Sequence, residues 1–243
     1  MDIKPFQEIS QSAVVWLNSD KVKEPPQSWI TVWNGARERY CTDGAANSLV
    51  ALCQTNVTKF PTVISGDFDS ITQSTLQYFK DKADIKHTPD QDYTDLSKSL
   101  SLITTSPNYV NKEIKTVLIL GGQSGRFDHT LSAINSILCF QRQTDCKTSI
   151  YSVDSTNLTT IVPSKFRITV DRKRITGKCG IVPFCQAETR ITTSGFKWNV
   201  NNEVMAFGGL ISTSNELVED VVTVDTSAPV ILTIELKSGD TFV

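Results

Sequence analysis

The stretch TVLILGGQSGRFDHTLSAINSILCFQ, residues 116–141, decides the fold. Its first five residues form an apolar, β-branched run with no polar alternation. Such a run reads as a strand buried on both faces, as central parallel strands are. A glycine-rich turn follows, Gly121-Gly122-Gln123-Ser124-Gly125-Arg126. Beyond it Phe127, Leu131, Ile134 and Leu138 recur at spacings of four and three, the period of an amphipathic helix. A strand, a glycine turn and a helix together make half of a right-handed crossover unit.

The same rhythm extends toward the amino terminus. Runs at 13–17, 39–42 and 61–65 read as strands, with a shorter one at 85–87, and Leu96, Leu100 and Ile103 carry another helical period. This alternation predicts an α/β N-terminal domain with a mainly parallel sheet over residues 1–145. After 146 the pattern changes. Short runs rich in Val, Ile, Thr and Phe, at 165–170, 180–184, 188–193, 221–224 and 230–236, are punctuated by Gly177, Gly195, Gly208-Gly209 and Gly239. No helical period remains, so residues 146–243 read as an all-β sandwich domain. The boundary is expected in the polar stretch QRQTDC, 141–146.

The chain has 243 residues, 39% of them apolar and 21% charged, a balance that buries a sizeable core. A net charge of −2 and the lack of a basic block give no general attraction to nucleic acid. No apolar run approaches the ~20 residues that span a bilayer. The opening MDIKPFQEISQS lacks a charged-then-apolar signal pattern, so a cytoplasmic location is expected. Six cysteines show no CxxC pair and read as reduced thiols. Two histidines, His87 and His129, argue against a His-rich zinc site and read as structural or solvent-facing.

The aspartates of the first half fall just past strand ends. Asp43 follows 39–42, Asp67 and Asp69 follow 61–65, Asp92 and Asp95 follow 85–87, and Asp128 lies across the glycine turn from 116–120. In an open parallel sheet these ends share one edge, where ligands bind. Converging carboxylates need a compensating charge, which a hard divalent cation with substrate phosphates supplies. The other reading of Asp67-Phe68-Asp69 is a polar turn capping a helix that starts near Thr72. Thr94 or Asp92 reads as the cap of the next helix, Asp90 as part of a Pro-led turn, and Lys98 as reaching either a phosphate or Asp95. The glycine turn can aim backbone N–H groups at phosphate, although it has neither a Walker A pattern nor GxGxxG. Arg126 beside it is either a phosphate partner or half of a surface ion pair.

GDFDS at 66–70, TPDQDYTD at 88–95, GGQSGRFDH at 121–129 and STSN at 212–215, with CTDGAAN at 41–47 and SGFKWNV at 194–200, together resemble eukaryotic-type thiamine pyrophosphokinases. The motifs stand in the family's order. The resemblance implies transfer of the pyrophosphoryl group of ATP to the hydroxyl of thiamine, giving thiamine diphosphate and AMP, with Mg²⁺. It also implies an ATP-binding α/β catalytic domain, a thiamine-binding β-sandwich, and a homodimer with active sites between subunits. Carried over by motif, Asp67, Asp69 and Asp95 resemble catalytic carboxylates, and Asp43, Asp67, Asp69 and Asp95 the metal set. Gln91, Thr94, Lys98, Arg126 and Asp128 resemble the nucleotide and phosphate side. Trp198, Ser212 and Asn215 resemble the thiamine side, where a Trp face stacks on a cationic ring; the other reading of Trp198 is a core aromatic. Asp95 or Asp69 is the expected proton acceptor. The chain has Gly44-Ala45 where the family often has two glycines. Two rival readings share these residues: a metal-dependent phosphohydrolase, and a module that binds nucleotide or thiamine without turnover.

Overall fold

The computed structural model describes residues 2–3, 8–18, 24–123, 125–185 and 188–237. Ser124 of the glycine turn, Gly239 and most of the first seven residues lie outside these. The chain forms two compact units. One covers 8–154; the described part of the other covers 155–237 and takes in 2–3.

The described chain starts with a two-residue strand, β1 (Asp2–Ile3), that belongs to the second unit. In the first unit a short 3₁₀ turn (Ile9–Gln11) leads into β2 (Ser12–Trp16), α1 (Gln27–Gly35), β3 (Glu38–Thr42), α2 (Asp43–Gln54), β4 (Val63–Gly66) and α3 (Gln73–Phe79). Then follow β5 (Asp84–His87), α4 (Asp95–Thr105), α5 (Pro107–Val110), β6 (Thr116–Leu120), α6 (Phe127–Gln143) and β7 (Ser149–Val153). The strands pair in parallel in the order β7-β6-β2-β3-β4-β5. Every residue of β2 and all but the first of β6 are buried, as the unbroken apolar runs predict. Strand β5 is mostly exposed, as befits the end of the order. Trp16 meets Trp29 and Trp33 edge-to-face at 5.5 and 5.4 Å, docking α1 on the sheet.

Two helix starts follow from local chemistry. The Thr72 hydroxyl accepts from Thr75 N–H and caps α3, and the Thr94 hydroxyl accepts from Ser97 N–H and caps α4. Two expectations need correction. The first unit runs to 154, because 149–153 pairs with β6 as a further parallel strand; the polar stretch at 141–146 is the end of α6 and its turn. Phe127 and Leu131, which set the helical period of α6, are 73% and 50% exposed, so only the later part of the helix packs inward.

In the second unit the strands are β8 (Asn157–Val162), β9 (Phe166–Thr169), β10 (Ile175–Pro183), β11 (Thr189–Ser194), β12 (Glu203–Met205), β13 (Ser212–Glu216), β14 (Val221–Thr226) and β15 (Val230–Leu236). They form two layers, β13-β10-β15-β8 and β1-β9-β14-β11-β12, antiparallel except for β1 with β9. Burial alternates strictly along β11 and β15, the signature of sheets with one face inward. This is the expected sandwich, and no helix occurs among its described residues. Among the described residues no helix is long and apolar enough to cross a membrane.

Candidate active site

Asp43 opens α2 directly after β3, and Asp67 and Asp69 follow β4. One carboxylate oxygen from each lies within 4.8 Å of those of the other two. Three like charges this close repel, and Asp43 is 3% exposed, so water screens it little. The fold compensates with backbone dipoles. Asp43 accepts from Gly44 N–H at 2.6 Å and Phe68 N–H at 3.1 Å. Asp67 accepts from Asp69 N–H at 3.1 Å and the Gln91 amide at 2.8 Å, which hold its carboxyl below the usual range. Among the described residues none of the three joins an ion pair.

Glycines make this approach possible. A Cβ on Gly66 would stand 2.6 Å from Asp43 Cγ, so no other residue fits there without moving the carboxylate. A Cβ on Gly44 would stand 2.8 Å from Asn18 Nδ2, whereas Ala45 is accommodated in the core. The chain therefore keeps the glycine whose close approach matters. Phe68 turns between the two aspartates at φ 67°, a left-handed conformation uncommon for a large residue. Its ring lies 5.1 Å from that of His87, and His87 Nε2 is 3.1 Å from the Asp67 carbonyl oxygen. Asn47 of α2 fastens the far end of the loop, donating to Ser70 O at 2.8 Å and accepting from Thr72 N–H at 3.0 Å.

Asp95, the first residue of α4, stands outside the three-carboxylate cluster. Its partner is Lys98, one turn on and 9% exposed, at 3.2 Å. Burial, then the Asp43 charge, push the Asp95 carboxyl upward, and Lys98 opposes them. Asp43, Asp67, Gln91, Thr94, Asp95, Lys98 and Arg126 line one cleft of about 410 Å³. Arg126 presents two donors to Asp128, a pair that raises the guanidinium and lowers the carboxyl, and Asp128 itself is not part of the cleft wall. Gly121, Gly122 and Gly125 take φ near 90°, as the tight turn requires. A larger groove, about 1220 Å³, lies at the amino ends of β4 and β5 beside Lys59, Phe60 and Lys80; it gathers no comparable cluster.

The second unit holds its own cavity of about 680 Å³, walled by Trp198, Asn215 and Glu216 among others. Trp198 is 57% exposed and therefore not a core aromatic. Asn215 is buried; its amide donates to Trp198 O at 3.0 Å and Ser212 Oγ at 3.1 Å, and accepts from Trp198 N–H at 3.3 Å. Asn215 thus positions the Trp198 backbone, with Ser212 bonded to it behind the wall.

Residues 29–150 match the thiamin pyrophosphokinase catalytic domain, and 165–231 the thiamin pyrophosphokinase vitamin B1 binding domain. The chain is 36% identical to thiamin pyrophosphokinase 1 of Caenorhabditis elegans over 97% of its own length and 95% of the relative's. The chain belongs to the thiamin pyrophosphokinase family. It is also 32% identical to thiamine pyrophosphokinase 1 of Oryza sativa, over 93% of this chain and 88% of that one. In fold it resembles thiamin pyrophosphokinase from Candida albicans, at a TM-score of 0.83, 21% identity and coverage of 97% and 93%. The yeast structure gives the same TM-score at 23% identity, with coverage of 100% and 92%.

Family motifs located the cleft, yet several wall residues were not singled out beforehand. Asn18, Ser70, Tyr93 and Ser132 line it, as does His129, which the sequence reading gave a structural or solvent-facing role. His129 and Ser132 lie on the first turns of α6, so the helical period carried a signal for which face meets the cleft. Asn18 carried none.

Proposed function

We propose that this chain transfers the pyrophosphoryl group of ATP to thiamine. The thiamine hydroxyl oxygen attacks the β-phosphorus, the bond from that phosphorus to the α-phosphate bridging oxygen breaks, and AMP departs as thiamine diphosphate forms. The observation that carries this reading is the cluster of Asp43, Asp67 and Asp69 oxygens within 4.8 Å at the carboxyl edge of a parallel sheet. The donor set consists of hard carboxylate oxygens with no cation paired to them among the described residues, and it fits Mg²⁺. Asp43, Asp67 and Asp69 would hold Mg²⁺, which would supply neutralisation of the charge that develops on phosphate.

The protein's own residues do the rest. Lys98, nearly buried, offers an ammonium to phosphate while holding Asp95. Asp95, held by Lys98 at the start of α4, is placed either to take the hydroxyl proton or to join the metal set. Arg126 offers a planar two-donor face, which it lends to Asp128 when phosphate is absent. Gln91 orients Asp67, and Thr94 shapes the cleft while capping α4. Trp198 receives thiamine, with Asn215 and Ser212 as its support.

We further propose a homodimer with active sites formed between subunits. Exposed apolar side chains at Tyr93, Phe127 and Leu131, and at Phe207 and Leu210, support it. A cytoplasmic site of action fits six free cysteines. The deciding experiment mixes the protein with ATP, Mg²⁺ and thiamine and separates the products. Equal amounts of AMP and thiamine diphosphate are expected; free phosphate or ADP with thiamine unchanged would establish a phosphohydrolase instead.

A further inference from the structure

The cavity of the second unit contains a charge arrangement that the reaction itself does not require. Lys197 Nζ lies 4.9 Å from the ring centroid of Trp198 and 3.0 Å from the Glu216 carboxylate. The backbone locks the same two residues together, Lys197 N–H donating to Glu216 O at 2.8 Å. Asn215 Oδ1 accepts from both Trp198 N–H and Glu216 N–H, so ring and carboxylate share one support. Glu216 lines the cavity beside Trp198. After burial, its charge helps push the Cys179 thiol on the same wall up to about 12. The other carboxylate of the wall, Glu235, is already engaged by the Thr176 hydroxyl at 2.5 Å and by Lys178 at 3.4 Å.

We propose that Glu216 is a specificity residue that selects a positively charged ring on Trp198, with Lys197 as the internal cation that the ligand's charge replaces. The proposal rests on the reading that Trp198 receives thiamine. In the free protein Lys197 satisfies both the π face and the carboxylate, the two groups a cationic ring seeks. A charged ring can take over both interactions as Lys197 swings to solvent. A neutral ring of the same shape gains stacking area but offers Glu216 nothing. Discrimination by charge then belongs to the Lys197–Glu216 pair, and discrimination by shape to Trp198. Both charged side chains are about half exposed, so screening limits the effect to a few-fold and makes it salt-dependent.

The test measures Kd by calorimetry for thiamine and for an analogue whose charged ring nitrogen is replaced by carbon, together with kcat for thiamine. Glu216→Gln is expected to weaken thiamine about two- to fivefold, leaving kcat and the analogue's Kd unchanged. Lys197→Met is expected to tighten thiamine by a similar factor, and the double variant to return near wild type. Raising the salt should shrink each difference. Equal shifts for both ligands, or no shift for either, would overturn the proposal. Trp198→Ala separates the two levels. If it weakens both ligands while the charge variants do nothing, only the role of Glu216 fails. If it leaves both ligands unchanged, Trp198 is not the thiamine site and the proposal falls with it.

Discussion

The two clefts hold charge by different means. In the α/β unit, backbone N–H groups hold the Asp43 and Asp67 carboxylates, the Ser70 hydroxyl holds that of Asp69, and Gly66 leaves no room for a Cβ. In the β unit, Glu216 pairs with the Lys197 ammonium, and Glu235 with the Thr176 hydroxyl and the exposed Lys178 ammonium. Backbone dipoles do not rearrange as charge develops, which suits a centre that must stabilise a transition state. Side-chain pairs exchange partners readily, which suits a surface that must admit and release a ligand. The contrast predicts rigid, all-or-none behaviour in the first cleft and graded behaviour in the second.

The sharpest way to break that contrast is to remove one charge from the rigid cluster. Asp67→Asn and Asp69→Asn should each lower turnover by about 10²- to 10³-fold while circular dichroism shows an unchanged fold. Near-normal rates in either variant would mean the cluster is a polar turn and nothing more. Gly66→Ala tests the steric half of the argument. The methyl must displace the Asp43 carboxylate, and urea titration should show a loss of about 1–3 kcal/mol, accompanied by reduced activity. Trp198→Ala probes the adaptable side. Thiamine KM should rise about tenfold, since an aromatic–cation contact contributes on the order of 1–2 kcal/mol, while ATP KM stays put; a parallel rise in both would place Trp198 in a structural role. The smallest effect is expected at Asn47, which touches no substrate. Asn47→Ala releases the Ser70–Thr72 end of the aspartate loop, and the Mg²⁺ concentration for half-maximal activity should rise about three- to tenfold with kcat less affected.

The same contrast explains what the sequence disclosed. The parallel sheet was legible because β2 and β6 are buried on both faces and carry unbroken apolar runs. The aspartate centre was legible because strand ends and carboxylates coincide along the chain. Strand β7 was missed because its pairing with β6 crosses α6, and a polar stretch at 141–146 imitated a domain linker. Strand β13 was read only as a motif, since Ser212–Glu216 contains no β-branched apolar residue. Asp95 entered the metal set through the family resemblance, and its 3.2 Å pairing with Lys98 became visible only in the structure. Phe127 and Leu131 carry a helical period without being buried, because an apolar period marks one face of a helix and not its burial. The Lys197–Glu216 pair lay beyond reach altogether: it joins side chains 19 residues apart on an exposed surface, and nothing in composition or period marks it.

The pairing of β1 with β9 has a consequence for biosynthesis. Asp2 sits opposite Arg167, so the sandwich takes strands from both sides of the α/β unit. A ribosome therefore delivers the whole α/β unit before the first strand meets its neighbour. The α/β unit can close as it emerges, from contacts that need nothing beyond residue 154, whereas the sandwich waits for the last third of the chain. A stalled or truncated nascent chain would carry the cleft lined by Asp43 and Asp67 without the cavity walled by Trp198 and Asn215.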